Sequence, residues 1–333
     1  MSEMLDQPGK PRGGPLLLSR YAESLFWLAR YMERVENLAR ILEITDTFVR
    51  HGADQSGWLS VVQINSDEER FLEQHKTVSA EAVLRFYLTD RENPTSIATS
   101  LFAARENART LRPMISTEMW AQINMFYNRS RELITGDTRT SDIPQICAFL
   151  KEGCQFHTGI TEGTFFRDQG WAFYSIGKYL ERGDQTSRLV DIKYHTLLPS
   201  ARDVGGAEDV NQWYALLRAA AGYHAFLRVY PSGMTPAAVA GFLLLNHSFP
   251  RSIVQSVHQI ELYLTQLSSG YGLRGANMVL EQMDSLRGAV MGQSIEQILS
   301  RGLHEFLDWV QLQFLGLASA IAESFWRKRD GGE

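Results

Sequence analysis

The chain has 333 residues, 44% of them hydrophobic, which is enough to bury one large core or two smaller ones. Its net charge is -5, and the 33 Lys and Arg residues are interleaved with 38 acidic residues rather than gathered into a stripe. This pattern gives no electrostatic reason to expect nucleic acid or an anionic membrane as a partner. The longest apolar stretch, Ala237–Leu245, is far below the roughly 20 residues of a membrane span, and the N-terminus lacks an apolar signal-peptide core. We therefore expect a soluble, cytoplasmic protein.

The apolar spacing along the chain predicts helices. Residues 1–15 are rich in Gly, Pro and charge, so we expect a disordered tail there, and a short charged tail at 328–333. From Ser19, apolar residues recur at helical spacing up to a stop near Gly52, which predicts one helix of about 35 residues. Sustained alternation with a period of two is missing, so the predicted fold class is all-α. Further helices are expected at roughly 79–90, 95–112, 116–135, 141–156, 166–197, 209–228, 235–247, 250–268, 277–292 and 295–327.

One sequence block occurs twice. Residues 30–44 read RYMERVENLARILEI and residues 178–192 read KYLERGDQTSRLVDI, an offset of 148 throughout. A second stretch, 83–100, matches 239–256 at an offset of 156, with Pro, Ser and Ile at equivalent positions. Collinear matches of this length indicate an internal duplication. We predict a helical bundle of two repeats, 16–150 and 151–327, that share a core and are related by a pseudo-twofold axis, with the boundary near 136–165 and a break in helical pattern at Gly159–Thr164.

The duplicated helix carries polar residues on an otherwise apolar surface. At 100° per residue, three polar positions of each copy fall within an arc of about 60°. They are Glu33, Asn37 and Arg40 in the first copy and Glu181, Gln185 and Arg188 in the second. Because apolar residues occupy both this face and the opposite one, the helix is expected to be enclosed, and its charges must be paired.

Two interpretations of these positions stay open. In the first, Glu33 and Arg40 pair with the equivalent residues of the second copy in a buried network that Asn37 and Gln185 bridge. In the second, the same residues with Arg34 and Arg182 line a cleft that binds a carboxylate or phosphate, because Arg offers a planar bidentate fork. Glu33 or Glu181 would then be the candidate catalytic carboxylate. The eight His residues form no His-x-x-x-His or Glu-x-x-His pair, so neither a metal nor a cofactor is expected.

A second polar patch lies in the first half alone. It consists of Arg105, Glu106, Arg109, Arg112 and Trp120, and the second half has Glu-Leu-Tyr-Leu at 261–264 in its place. The patch is either a solvated helix face with local ion pairs or a surface for a partner protein. Arg and aromatic side chains are common anchors of interfaces, which favours a test of the second interpretation.

Residues 18–40 (LSRYAESLFWLARYMERVENLAR) resemble the opening of the bacterial Alpha-E family, all-helical proteins with a Glu-Arg motif. The segments at 92–97, 104–110, 118–120 and 167–171 are also similar to that family, and the resemblance covers roughly 16–326. It implies a setting beside an ATP-grasp-type amidoligase and a transglutaminase-like peptidase, in systems that make or cut a small peptide or peptide tag.

The sequence lacks a Gly-rich phosphate loop, a Gly-x-Ser-x-Gly elbow and a Cys/His nucleophile pattern. With the resemblance, this predicts a helical partner of an amidoligase that binds no nucleotide itself. One alternative is an enzyme that acts on an amine- or carboxylate-bearing peptide-like substrate through Glu33 or Glu181 and Arg40 or Arg188. Another is a purely structural interaction module. The oligomeric state is left open by the sequence.

Overall fold

A computed structural model describes residues 17–50, 57–134, 139–197, 207–231 and 233–326. Within these ranges every regular element is helical, which confirms the predicted all-α class. The two predicted tails and the helix end near Gly52 lie outside the described residues.

The described part of the chain forms fifteen α-helices. A π-helical turn, Arg85–Thr89, extends the helix Ala80–Leu84, and a second, Gln266–Gly270, extends the helix Ile253–Thr265. The helices are α1 Ser19–Arg50, α2 Gly57–Ile64, α3 Glu68–Gln74, α4 Ala80–Leu84, α5 Ile97–Thr110, α6 Thr117–Leu133, α7 Ile143–Thr164, α8 Gln169–Leu197, α9 Ala207–Ala219, α10 Tyr223–Val229, α11 Pro236–Leu245, α12 Ile253–Thr265, α13 Arg274–Met291, α14 Ile295–Arg301 and α15 Leu303–Phe325.

Several predicted boundaries were wrong for identifiable reasons. Helix α7 runs unbroken through Gly159 and Gly163, because both glycines lie in open space while Cys154, His157 and Thr161 on the other face are buried. The predicted helix at 209–228 is divided at Ala220–Gly222, and the predicted helix at 295–327 is divided at Gly302. Gly302 has a φ of 109°, a conformation that L side chains rarely adopt. The short helices α2 and α3 were missed.

Helices α1 and α8 form the centre of the fold. They pack along each other, and α2, α5, α7, α12 and α15 surround them. Close approach is possible because α8 has Gly177 at the crossing, where a Cβ atom would lie 2.3 Å from the carbonyl oxygen of Phe26. Buried residues occur on all sides of α1, so the expectation of an enclosed helix is correct. The repeated block therefore lies in the interior on both helices.

Two loops end in the same type of helix cap. Ser96 accepts a hydrogen bond from the amide of Thr99 at 3.1 Å and donates to the carbonyl of Asp90 at 2.5 Å. Ser252 repeats both contacts before α12, with Gln255 and Asn246 as partners. Side-chain caps of this kind satisfy amides that the first turn of a helix leaves unpaired. The residues just before these serines are Thr95 and Arg251, and Arg251 contacts both helices of the central pair.

Candidate functional site

The two Glu-Arg dipeptides lie opposite each other on α1 and α8 and pair crosswise. Arg182 donates to Glu33, with Nε 3.0 Å from Oε2. Arg34 donates to Glu181, with Nε 2.7 Å from Oε1. Each glutamate therefore binds an arginine of the other copy. Glu33 binds Arg182, which directly follows Glu181, and Glu181 binds Arg34, which directly follows Glu33. Both carboxylates are nearly inaccessible to solvent, and such charges need this pairing to be tolerated in the interior.

The structure gives Arg40 and Arg188 other partners than the sequence predicted. Arg40 donates to Glu36, one turn earlier, at 2.6 Å and to the carbonyl of Ala219, the last residue of α9, at 2.5 Å. Residues four apart on a helix are neighbours, whereas Glu33 lies seven residues away. Arg188 has the matching contacts on the other copy, with Asp184 and with the carbonyl of Ile64 at the end of α2. Both arginines thus join an acid of their own helix to an unpaired helix-end carbonyl.

The Glu33 side of this network is closed. Arg251 extends from the loop before α12 and donates to Asn37 Oδ1 at 3.2 Å and to Glu36 Oε1. Its Nη1 also lies 4.0 Å from Glu33 Oε2. Burial raises the pKa of Glu36, but the guanidinium groups of Arg251 and then Arg40 lower it by more, to about 2. This half is a buried network that includes Asn37, but its ion pairs differ from those that the first interpretation predicted.

The Glu181 side is open. A cavity of about 460 Å³ lies over it, and Glu181 is deep in its wall, held by Arg34 and by Arg30, whose Nε is 2.7 Å from Oε2. Burial raises the pKa of Glu181, but Arg34 and then Arg30 lower it to about 2. The lining residues are Arg30, Arg34, Leu38, Asn65, Ser66, Tyr87, Thr95, Leu180, Glu181, Asp184, Gln185, Arg188, Asp308, Gln311, Leu312, Phe314 and Leu315.

Two amide groups that line the cavity are unsatisfied. The Oε1 atom of Gln185 and the Nε2 atom of Gln311 are buried, and neither has a hydrogen-bond partner among the described residues. Leaving a buried acceptor or donor unpaired costs about 1–3 kcal/mol. The Gln185 oxygen can accept a hydrogen bond from an N–H group, and the Gln311 nitrogen can donate one to an oxygen.

This geometry favours binding over proton transfer. Glu181 is ionised and holds two guanidinium groups, so its pKa lies far below the neutral range in which a general acid or base works well. Glu33 is closed off by Arg251 and Arg182. The two candidate catalytic carboxylates are therefore poorly placed to exchange a proton with a substrate.

The predicted partner patch is contiguous in the structure. Arg105 donates to Asn124 at 2.8 Å, and the guanidinium groups of Arg105 and Arg112 lie 5.9 and 5.6 Å from the Trp120 ring centroid. Glu106 forms ion pairs with Arg105 and with the exposed Arg109. The patch is thus a layer of stacked cations and an aromatic ring on α5 and α6. Its role as a partner surface stays a prediction.

One cluster of possible metal ligands was missed by the sequence search. Asp191, His304 and Asp308 each place a ligand atom within 4.8 Å of the others. The spacing of His residues on a single helix does not indicate this cluster, because Asp191 lies on α8 and the other two residues lie on α15. His304 has one ring nitrogen 2.9 Å from Asp191 and the other 3.4 Å from Asp308. Burial lowers the pKa of His304, but these carboxylates raise it by more and so favour the charged form of the ring.

Sequence reasoning also missed four residues of the central network: Glu36, Asp184, Arg30 and Arg251. For two of them a signal existed. Glu36 and Asp184 are acids at equivalent positions of the repeated block, each four residues before an arginine. Arg251 had no such signal, because its equivalent in the first repeat is Thr95.

Comparisons with known proteins agree with this description. Residues 17–326 match the model of Alpha-E, a predicted alpha-helical domain with a conserved ER motif. An uncharacterized protein of Mycobacterium bovis and one of Mycobacterium tuberculosis are each 23% identical over 328 residues. In both, the match covers 90% of this chain and 36% of the relative, so the chain spans about a third of the length of these relatives. No solved structure matches the chain significantly. In the described residues, no helix is both long and apolar enough to cross a membrane.

Proposed function

This chain belongs to the Alpha-E family, and we propose that it is a helical binding component that works beside an ATP-grasp-type amidoligase without nucleotide chemistry of its own. In this proposal it holds a peptide-like ligand in the cavity beside Glu181, and the partner supplies ATP-dependent bond formation. A transglutaminase-like peptidase would belong to the same system. Since such a partner would use ATP, we propose that the protein works in the cytoplasm.

The observation that carries the proposal is the difference between the two sides of the Glu-Arg network. The same residue types surround Glu33 and Glu181, yet Arg251 closes one side while the other borders a cavity of about 460 Å³. This volume is typical of small-molecule sites. Charged groups that line a cavity at the centre of a fold fix the orientation of a ligand more readily than they stabilise the protein.

We also propose that the two repeats are related by a pseudo-twofold axis through the crossed pairs. Reciprocal bonding of Glu33 with Arg182 and of Glu181 with Arg34 is the pattern that such an axis produces. The matched caps before α5 and α12 support the same relation. Two repeats would then share one core, and ligand binding would have been kept in one of them.

The partner role draws on the relatives as well as on the family. Because the match covers 36% of each mycobacterial relative, the homologous region in them is joined to further sequence. A region that makes up only part of a longer chain is typical of a module that acts with other domains. The enzyme alternative is less favoured, because both glutamates are locked in ion pairs.

The cavity is tested by native mass spectrometry of the protein purified from its own cells. We expect a bound small molecule in the wild type, which Leu312→Arg removes because Leu312 lies at the cavity wall and is 64% exposed. Leu262→Arg is the matched control, since Leu262 is also an exposed leucine (50%) but does not line the cavity. A ligand that is retained in Leu312→Arg would overturn the binding role.

The partner role needs a separate measurement. Mild lysis and affinity purification of the tagged protein should enrich an ATP-grasp-type amidoligase, identified by mass spectrometry. The amount recovered is compared with a purification of an unrelated tagged helical protein from the same cells. Equal recovery of amidoligase in both purifications would remove the partner role and leave the binding role to stand on the cavity alone.

A further inference from the structure

We propose that the cavity beside Glu181 is a receptor for a guanidinium group on an aliphatic stem, as carried by an arginine side chain of a peptide. This inference rests on the proposed binding function and names the chemical class of the ligand. It follows from the closed side of the network, where the chain supplies such a group itself, through Arg251, to the equivalent set of residues.

Residues 95 and 251 occupy equivalent positions. They are separated by the offset of 156 that relates the two stretches around them, and each comes directly before the serine that caps the next helix. On the closed side, Arg251 reaches into the network. On the open side, Thr95 is too short to do so, and its hydroxyl group donates to Asn93 at 2.7 Å and lies 3.1 Å from Asp67. The cavity therefore lies where a guanidinium group is bound on the other side.

The acceptors for that group are also repeated. Arg251 donates to the amide oxygen of Asn37 and to the carboxylate of Glu36. The equivalent amide oxygen is that of Gln185, a residue that is 6% exposed. This oxygen is the buried acceptor that has no partner among the described residues. The equivalent carboxylate is that of Asp184, which is 14% exposed against 3% for Glu36. Among the described residues, neither acceptor receives the guanidinium contact that Arg251 makes on the closed side.

The charges and walls of the cavity fit the same ligand. On the closed side a guanidinium group is bound although Arg40 and Arg182 are close by, so neighbouring arginines do not prevent it. On the open side Glu181 already pairs with Arg30 and Arg34, and Asp308 adds a further carboxylate to the cavity wall. Aliphatic stems of charged side chains pack on apolar surface. The cavity offers such surface: Leu38, Leu180, Leu312, Phe314 and Leu315.

The unpaired oxygen of Gln185 favours a ligand with two N–H donors over a ligand with a carboxylate. A carboxylate has no N–H group for Gln185 Oε1. The arginines of the cavity wall, which would attract a carboxylate, are already paired with Glu181 and Asp184. A peptide that inserts an arginine side chain could also present a backbone carbonyl to Gln311 Nε2, the unpaired donor in the cavity wall. Both unsatisfied amides would then be hydrogen-bonded.

The test is isothermal titration calorimetry of the full chain with N-acetyl-L-arginine amide. N-acetyl-L-citrulline amide is the matched control, because it has the same shape without the charge. We expect one arginine probe per chain and at least tenfold weaker binding of the citrulline probe. Gln185→Leu should weaken the arginine probe at least tenfold, because it removes the acceptor, and Thr95→Arg should abolish binding, because it supplies an internal guanidinium group. Circular dichroism checks that each variant is folded.

Equal binding of the two probes, or an unchanged affinity in Gln185→Leu, would overturn the inference. If Thr95→Arg does not fold, the probe comparison and Gln185→Leu still decide it. The proposed function can fail or survive independently. A native ligand that lacks a guanidinium group and is lost in Leu312→Arg would overturn this inference and support the binding role, whereas a ligand retained in that variant would remove the binding role itself.

Discussion

Replacement of Glu33 by alanine is the clearest test of the closed network. Glu33 and Arg182 are 5% and 9% exposed, and they share two hydrogen bonds. Removing the carboxylate leaves a buried guanidinium group without its main partner, which typically costs 3–5 kcal/mol. We expect the lower end, about 3 kcal/mol, because Glu36 still lies close enough to Arg182 to stabilise its charge.

The expected change in melting temperature follows from the size of the chain. An unfolding entropy of about 2.1 cal/mol/K per residue gives about 0.7 kcal/mol/K for the whole protein. A loss of about 3 kcal/mol therefore lowers the melting temperature by about 4 °C. Glu43→Ala is the matched control, since Glu43 is also on α1 and pairs with one cation, Lys151, but is 30% exposed. A surface pair of this kind contributes at most about 1 kcal/mol, so the control should shift by about 1 °C or less.

Differential scanning calorimetry of both variants and the wild type supplies the measurement. The double variant Glu33→Leu/Arg182→Met should recover most of the loss, because a buried ion pair replaced by apolar residues of similar volume is often neutral. If Glu33→Ala melts at the same temperature as Glu43→Ala, the carboxylate of Glu33 is solvated, and the description of the closed side is refuted.

Three further predictions address other parts of the molecule. The pKa values of Glu36 and Glu181 are about 2, below the ordinary 4.5. These carboxylates therefore stabilise the fold fully above about pH 4.5, and this stabilisation is lost as the pH falls towards 2. Thermal scans between pH 6 and pH 2.5 should show a falling melting temperature. Calorimetric titration of the protein alone with Mg-ATP should give no heat of binding, and micromolar affinity would contradict it. Arg109→Glu with Arg112→Glu should abolish recovery of the amidoligase with an unchanged melting temperature, because both side chains are exposed; retained recovery would exclude this surface.

The sequence alone determined the class of the fold and the position of its centre. Helical spacing of apolar residues is a local property, so the all-α class and most helices could be predicted from it. The repeated block identified α1 and α8 as the helices that carry the duplicated polar residues. Apolar residues on both faces of the block predicted that its charges would be enclosed, and they are. The short helices α2 and α3 were missed, because seven or eight residues carry too little periodicity to be recognised.

Only the tertiary structure decided which charges pair and which side of the network is open. The partners of Glu33 and Glu181 depend on how two helices cross, and no spacing within one helix contains that information. Arg251 lies more than 210 residues from Asn37 along the chain, yet it closes one side, while Thr95 leaves the other side open. Long-range contacts of this kind arise from packing and not from local sequence preference, so the candidate site could be identified only from the way α1 and α8 pack together in the fold.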